Sequence, residues 1–203
     1  MADLPITLDV PLAEQLSRVL DPERKIPRAL DALGPVADRD VVLVGGGDLR
    51  AGQLTDAGAR VSAVDWDAER LPVGDRSADA VVGCWSVFRG VDAAEQAEVD
   101  RVLRPGGRLL VVHDYGRDDV SALRGDLPEY GAWGRRDGPY LVSGFRMRVL
   151  HCWWRFADLD AARSFLGAAF GAGGLTLADG LRRPRLSYNV AVYHRGRSET
   201  AAS

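Results

Sequence analysis

The chain is poor in the residues that build crosslinks and metal centres. Of its 203 residues only two are cysteines and three are histidines. Cys84 and Cys152 stand far apart and form no metal-ligand spacing, which argues against a zinc site and against a disulfide framework. No apolar run approaches the ~18 residues of a membrane-spanning helix. The opening MADLPITLDVPLAEQL has neither a basic start nor an apolar stretch, so it does not read as a signal peptide. A cytoplasmic location is the expectation. The formal net charge is -3, so the molecule as a whole lacks the positive field of a nucleic-acid binder. We expect neither nucleic acid nor membrane as a partner. Lys25 is the only lysine, and arginine supplies the remaining basic charge. Arg182, Arg183, Arg185, Arg195 and Arg197 crowd the C-terminal part, either as a solvated rim or as a contact for an acidic substrate or partner.

What is present is ordinary globular material. Apolar residues make up 46% of the chain and charged residues 27%. The length fits one domain over residues 1–203 with a full core. The tail GRSETAAS is small and polar and is expected to fray. Residues 1–34 read as helical. Leu12, Leu16, Val19 and Leu20 recur at helical spacing, Pro27 breaks or restarts the helix, and a second helix runs from about Arg28 to Leu33.

The rhythm then changes to strand and helix in alternation. Val41–Val44 is a short all-apolar run, as in a strand covered on both faces. A helix over Leu49–Ala57 stops at Gly58. Strands are expected at 59–65, 79–84 and 108–113, with a helix opened by the Asp92/Glu95 capping box and a turn at Pro105, Gly106 and Gly107. This order predicts an α/β fold with a doubly wound, mostly parallel, Rossmann-like sheet. Later, Phe145–Phe156 reads as an extended strand. Ala162, Phe165, Leu166, Ala169 and Phe170 share a helix face, and LSYNVAVYHR reads as a last, antiparallel strand.

Ligands of such sheets bind at the carboxyl ends of the strands. At the first of these ends stands VVLVGGGDLRAGQL. It is not a phosphate loop, because Gln53 stands where that motif needs a lysine. Nor is it a dinucleotide fingerprint, because Arg50 occupies the last glycine's place, which also argues against a nicotinamide dinucleotide. Asp65 ends the second strand, where a carboxylate accepts hydrogen bonds from ribose hydroxyls. Trp66 follows with an apolar face for a base. Together these residues point to an adenosine-containing ligand with no pyrophosphate.

Several stretches resemble the class I S-adenosylmethionine-dependent methyltransferases in their small "type 11" form. VVLVGGGDL stands where the family has a strand and G-x-G-x-G. ARVSAVDW stands where its second strand ends in an acid. DAERLPVGDRSADAVVGCWSVF resembles the segment before and through its fourth strand. EVDRVLRPGGRLLVV resembles the helix, R-P-G-G turn and fifth strand. The resemblance implies methyl transfer from S-adenosylmethionine to a small molecule. It also implies a cofactor site of Gly45, Gly46, Gly47, Asp48, Asp65, Trp66, Asp67, Ala68, Cys84 and Trp85. Gly45 and Gly47 would lie by the methionine part, Asp65 on the ribose, Asp67 and Ala68 at the adenine edge, and Cys84 and Trp85 across the pocket. Residues 115–156 would form a substrate-side cap.

The chain departs from the family in three places. Leu43 replaces an acid that orders the methionine end, and leucine accepts no hydrogen bond. Leu49 replaces the third glycine. The family's helix and edge strand after the ribose acid are missing, since Asp65 runs directly into Asp67. The expected sheet order, in family labels, is therefore 2-1-4-5-7-6 with strand 3 absent. These departures carry the alternative expectation of a non-catalytic relative acting as a scaffold, regulatory partner or binding protein.

No catalytic constellation stands out. His113, Asp114 and Tyr115 end the 108–113 strand and face the expected pocket. His113 reads either as a general base or as a hydrogen-bonded structural residue. His151 and Cys152 are strand neighbours that face opposite ways, so they do not chelate a metal together, and no metal is expected. Trp153 and Trp154 read as a substrate wall with one of the two in the core.

Overall fold

The computed structural model describes residues 4–45, 47–66, 70–125, 127 and 129–197. Gly46, Asp67, Ala68 and the tail from residue 198 lie outside the described residues. Helix α1 (Val10–Val19) starts at Asp9, whose carboxylate accepts the Leu12 N–H at 3.0 Å. Helix α2 (Lys25–Leu33) corrects the expected break at Pro27. That proline lies in the first turn of α2, where the missing N–H has no helical partner to lose. The two helices part upstream, where Asp21 and Arg24 take left-handed φ values of 50° and 54°. The buried Asp21 carboxylate accepts the N–H groups of Lys25 at 2.9 Å and Ile26 at 2.7 Å, so an acid makes the break rather than the proline.

The chain continues through β1 (Asp40–Val44), α3 (Asp48–Asp56), β2 (Arg60–Val64), β3 (Ala78–Cys84), α4 (Ala93–Val102) and β4 (Leu103–Asp114). It finishes with α5 (Asp119–Arg124), α6 (Pro139–Val142), β5 (Arg146–Arg155), α7 (Leu159–Gly180) and β6 (Arg185–Gly196). One six-stranded sheet results, in the order β2-β1-β3-β4-β6-β5. The first four strands are parallel, and β6 runs antiparallel to both β4 and β5. This is the order expected from the sequence. Among the described residues β2 is the outer strand, with no neighbour beyond it.

Alternation along the strands gives each face its own core. Leu43, Val82, Leu110 and Val112 point to the side covered by α1, α2 and α7, where they meet Leu16, Leu30, Leu54 and Phe165. Val42, Val44, Val81, Leu109 and Val111 point to the other side, with Val99 and Val102 of α4 and with Tyr140 and Tyr193. Burial on both faces explains why β1 reads as an unbroken apolar run.

Two elements differ from their sequence pattern. The Pro105–Gly107 turn lies inside β4 as a bulge: Ala78 pairs with Leu103 and Ala80 with Arg108, so the extra residues loop out of register. Gly106 takes φ 80° within it. Helix α7 is two arms joined at Gly171, which has φ 60° and ψ -136°. The second arm folds back on the first. A Cβ on Gly167 would meet Leu175 at 2.7 Å, and Arg163 of the first arm pairs with Asp179 of the second. The first arm buries Ala162, Phe165 and Leu166, as the amphipathic pattern predicts.

Candidate functional site

The strand order reverses between β1 and β3, because the chain leaves β1 for β2 on one side and later places β3 on the other. The carboxyl ends of these two strands form the crevice where sheets of this kind take ligands. Gly45 ends β1 with φ 61°, a conformation that suits glycine. Cys84 ends β3 fully buried, and the loop from Trp85 to Gly90 follows it.

That loop determines what the crevice can hold. Trp85 and Phe88 take left-handed φ values of 46° and 53°, unusual for bulky residues and each a strain of about 1–3 kcal/mol. The strain is held by two donors on one acceptor. His113 Nε2–H donates to the Phe88 carbonyl at 2.9 Å, and the Tyr140 hydroxyl donates to the same oxygen. Phe88 is thereby turned over the sheet. A Cβ on Gly83 would lie 2.4 Å from its ring, and Trp66 meets that ring edge-on with centroids 5.6 Å apart. A Cβ on Gly45 would lie 2.8 Å from Val87 Cγ1 and 3.0 Å from Ser86 Oγ. The open side of the first glycine is thus covered by the chain itself.

His113 plays the structural part of its two readings. It is fully buried, and Trp133 meets its ring edge-on at 4.9 Å. Burial lowers its pKa to about 4, so the imidazole is neutral at physiological pH. Only the next residue reaches the opposite face, where Asp114 collects four donors. Trp85 Nε1 lies at 3.0 Å and the Tyr130 hydroxyl at 3.4 Å, and the Tyr188 hydroxyl and the Arg124 guanidinium complete the set. Burial raises the Asp114 carboxyl to about 6, opposed by Arg124 and by the hydrogen bonds of Tyr188 and Trp85. A carboxylate so surrounded orients Trp85 and Arg124; it has little capacity left to take a proton from a ligand. Sequence reasoning flagged Asp114 only as a strand end. Its partners Arg124, Tyr130 and Tyr188 carry no local signal that would have joined them to it.

Beyond Ser86 the crevice opens into a cavity of about 470 Å³. It is roofed by residues 4–8 and walled by Trp85, Ser86, Arg89, Arg124 and Phe170. Arg89 donates to the Trp85 carbonyl at 3.1 Å and makes a two-point pair with the buried Glu129 at 3.0 and 3.1 Å.

The remaining predicted residues fall into place around this frame. Asp65 is exposed at the carboxyl end of β2, and Asp48 is exposed in the first turn of α3. Leu43 is fully buried in the core and Leu49 packs against it. His151 is exposed and pairs through Nδ1 with Asn189 Oδ1 at 2.8 Å, while Cys152 is buried on the opposite face. Trp154 is the core tryptophan; Trp153 carries Arg185 over its ring at 4.0 Å. Of the C-terminal arginines, Arg182 and Arg183 are solvated, but Arg195 is buried and bonds Asp100 and Gln96, both at 2.7 Å.

This fold is that of class I S-adenosylmethionine-dependent methyltransferases of known structure. Residues 36–111 match the model of the methyltransferase domain family, which covers the sheet from β1 into β4. None of the curated proteins matches the chain. Solved structures share the fold. A S-adenosylmethionine-dependent methyltransferase from Aquifex aeolicus is 16% identical with a TM-score of 0.55, over 95% of this chain and 100% of that one. A proposed methyltransferase from Bacillus halodurans is 14% identical with a TM-score of 0.55, over 86% of this chain and 100% of its own. A proposed type II methyltransferase from Anaeromyxobacter dehalogenans is 21% identical with a TM-score of 0.54, over 86% and 97%.

The described residues fit such a cofactor at one end only. At the carboxyl end of β2 the exposed Asp65 carboxylate offers the acceptor chemistry that ribose hydroxyls need. At the methionine end the fit fails in this conformation, because Ser86 and Val87 cover Gly45 and Leu43 is sunk in the core. Among the described residues no helix is long and apolar enough to cross a membrane.

Proposed function

We propose that the protein is a S-adenosylmethionine-dependent methyltransferase acting on a small molecule, in the cytoplasm. One observation carries the reading: Ser86 is a wall shared by the Gly45 crevice and by the substrate-sized cavity. A cofactor beside Gly45 and Asp65 and an acceptor in the cavity would then be neighbours. The bound cofactor supplies an electrophilic methyl group. The chain's own contribution is binding and alignment, which can provide much of the rate of such a transfer. Asp65 would accept the ribose hydroxyls. Asp114 holds Trp85 and Arg124 against the acceptor side, and the 4–8 segment shields that side from water. Neither His113 nor Asp114 serves as a general base: His113 is fully buried with Nε2–H given to the Phe88 carbonyl, and Asp114 already accepts four donors.

A second reading is favoured by the covered glycine. A relative that has lost its cofactor would keep the sheet and fill the crevice with its own side chains, as Ser86 and Val87 do. Titration calorimetry with S-adenosylmethionine and S-adenosylhomocysteine separates the two. Binding that weakens about tenfold or more in Asp65→Ala supports the enzyme. Absence of heat at millimolar ligand leaves the non-catalytic reading standing.

A further inference from the structure

The cavity under residues 4–8 has a composition that selects its occupant. Its walls are mixed: Leu4, Ile6, Trp85 and Phe170 give apolar surface beside Thr7 and Ser86. Its polar side holds two guanidiniums, and no acidic residue is among the described residues lining it. Both arginines are fixed from behind by buried carboxylates: Arg89 by Glu129 and Arg124 by Asp114. Asp114 has three donors besides Arg124, so it does not need the whole guanidinium. Arg124 is 15% exposed and donates through Nη1 to Asp114, whereas a guanidinium offers five N–H donors. An arginine oriented in this way presents its remaining donors as a planar fork, the geometry that receives a carboxylate.

We infer that this cavity binds an amphipathic carboxylic acid, with the carboxylate on Arg124 and Arg89 and an aromatic or aliphatic body between Trp85 and Phe170. The site stands on the cavity alone; that its occupant is the methyl acceptor rests on the methyltransferase reading. A volume of about 470 Å³ accommodates an arylalkanoate. Burial of the two pairing carboxylates explains why the arginines stay in place without a ligand, which lowers the ordering cost of binding.

The test uses the full chain and a matched pair of probes, 3-phenylpropanoate and 3-phenylpropanamide, in titration calorimetry with and without S-adenosylhomocysteine. The acid is expected to bind about tenfold or more tightly than the amide, since the amide lacks the charge that the fork recognises. Arg124→Met is expected to abolish that preference. Phe170→Trp, which adds bulk to the wall and leaves both arginines in place, is expected to weaken the acid while the preference for acid over amide is kept. Equal binding of acid and amide, no binding of the acid at millimolar concentration, or an unchanged affinity in Phe170→Trp overturns the inference. Acid binding without any binding of S-adenosylhomocysteine upholds the site and removes the methyl-transfer reading. The reverse result upholds that reading and removes the site.

Discussion

The two ends of the sheet contrast in how they are built. At the β1–β2 end, where the chain departs most from the family pattern, polar organisation at the carboxyl edge of the strands is sparse: an exposed Asp65, an outer strand with Ser62 and Ala63 in solvent, and a glycine covered by Ser86 and Val87. At the β4–β6–β5 end the family match stops within β4 at residue 111, yet buried groups are densely connected. Asp114 gathers four donors, Asp118 caps α5 and accepts the Asn189 N–H at 2.7 Å, and Asp119 accepts from the Ser187 N–H and hydroxyl, both at 2.7 Å. The difference shows that a family motif marks where a backbone must turn. It does not mark where the chain spends its polar chemistry.

The largest expected effect would sharpen this contrast through stability. Trp154 is fully buried among Phe165, Phe170 and Tyr188. Trp154→Ala should cost about 3–5 kcal/mol, whereas truncating the exposed Asp65 should change stability by less than about 0.5 kcal/mol. Urea unfolding measures both. Comparable losses at the two positions would erase the distinction.

A second prediction separates the adjacent residues at the end of β4. His113 has its folded pKa lowered to about 4, so its contribution is complete above about pH 6.5 and is lost as pH falls toward 4. Asp114 has its folded pKa raised to about 6, so the penalty of burying its charge is relieved as pH falls from about 6 to 4. The two trends oppose each other in the natural chain. In Asp114→Asn only the histidine slope remains, and stability should fall by up to about 3 kcal/mol between pH 6.5 and 4 relative to the natural chain. Denaturant titrations across that range check it; parallel curves for the two proteins would refute it.

The smallest effect concerns the crevice. Val87→Ala removes the atoms nearest to Gly45 and should tighten S-adenosylhomocysteine roughly fivefold, the equivalent of about 1 kcal/mol. An unchanged affinity would mean that the valine does not compete with the cofactor.

Much of the architecture was legible before the structure. The apolar runs, the Asp92 cap and the Pro105–Gly107 turn marked the elements, because these are local signals; the strand order, including the loss of the outer strand, followed from the family resemblance. What escaped was non-local. The amphipathic helix was legible as far as Gly171, but its second arm was not, because Gly171, Gly173 and Gly174 give that stretch little helical propensity. Pro27 drew the break that Asp21 makes, since a capping acid several residues upstream is a fainter signal than a proline. At the site, the positions of Asp65, Trp85 and Gly45 were readable from spacing. The covering of Gly45 was not, because it depends on a carbonyl at Phe88 gripped by His113 and Tyr140 from distant parts of the chain.

The return of α7 on itself has a further consequence. Arg155 and Arg185, where the chain leaves and re-enters the sheet, are paired partners across β5 and β6. Everything between them is a side excursion whose length the sheet does not register, and lengthening such a loop adds only slowly to its entropic cost. The excursion brings Ala169 and Phe170 to the cavity wall. Ligand preference in this lineage can therefore drift by insertion or deletion beyond Phe170, with the strand pairing that carries the fold left untouched.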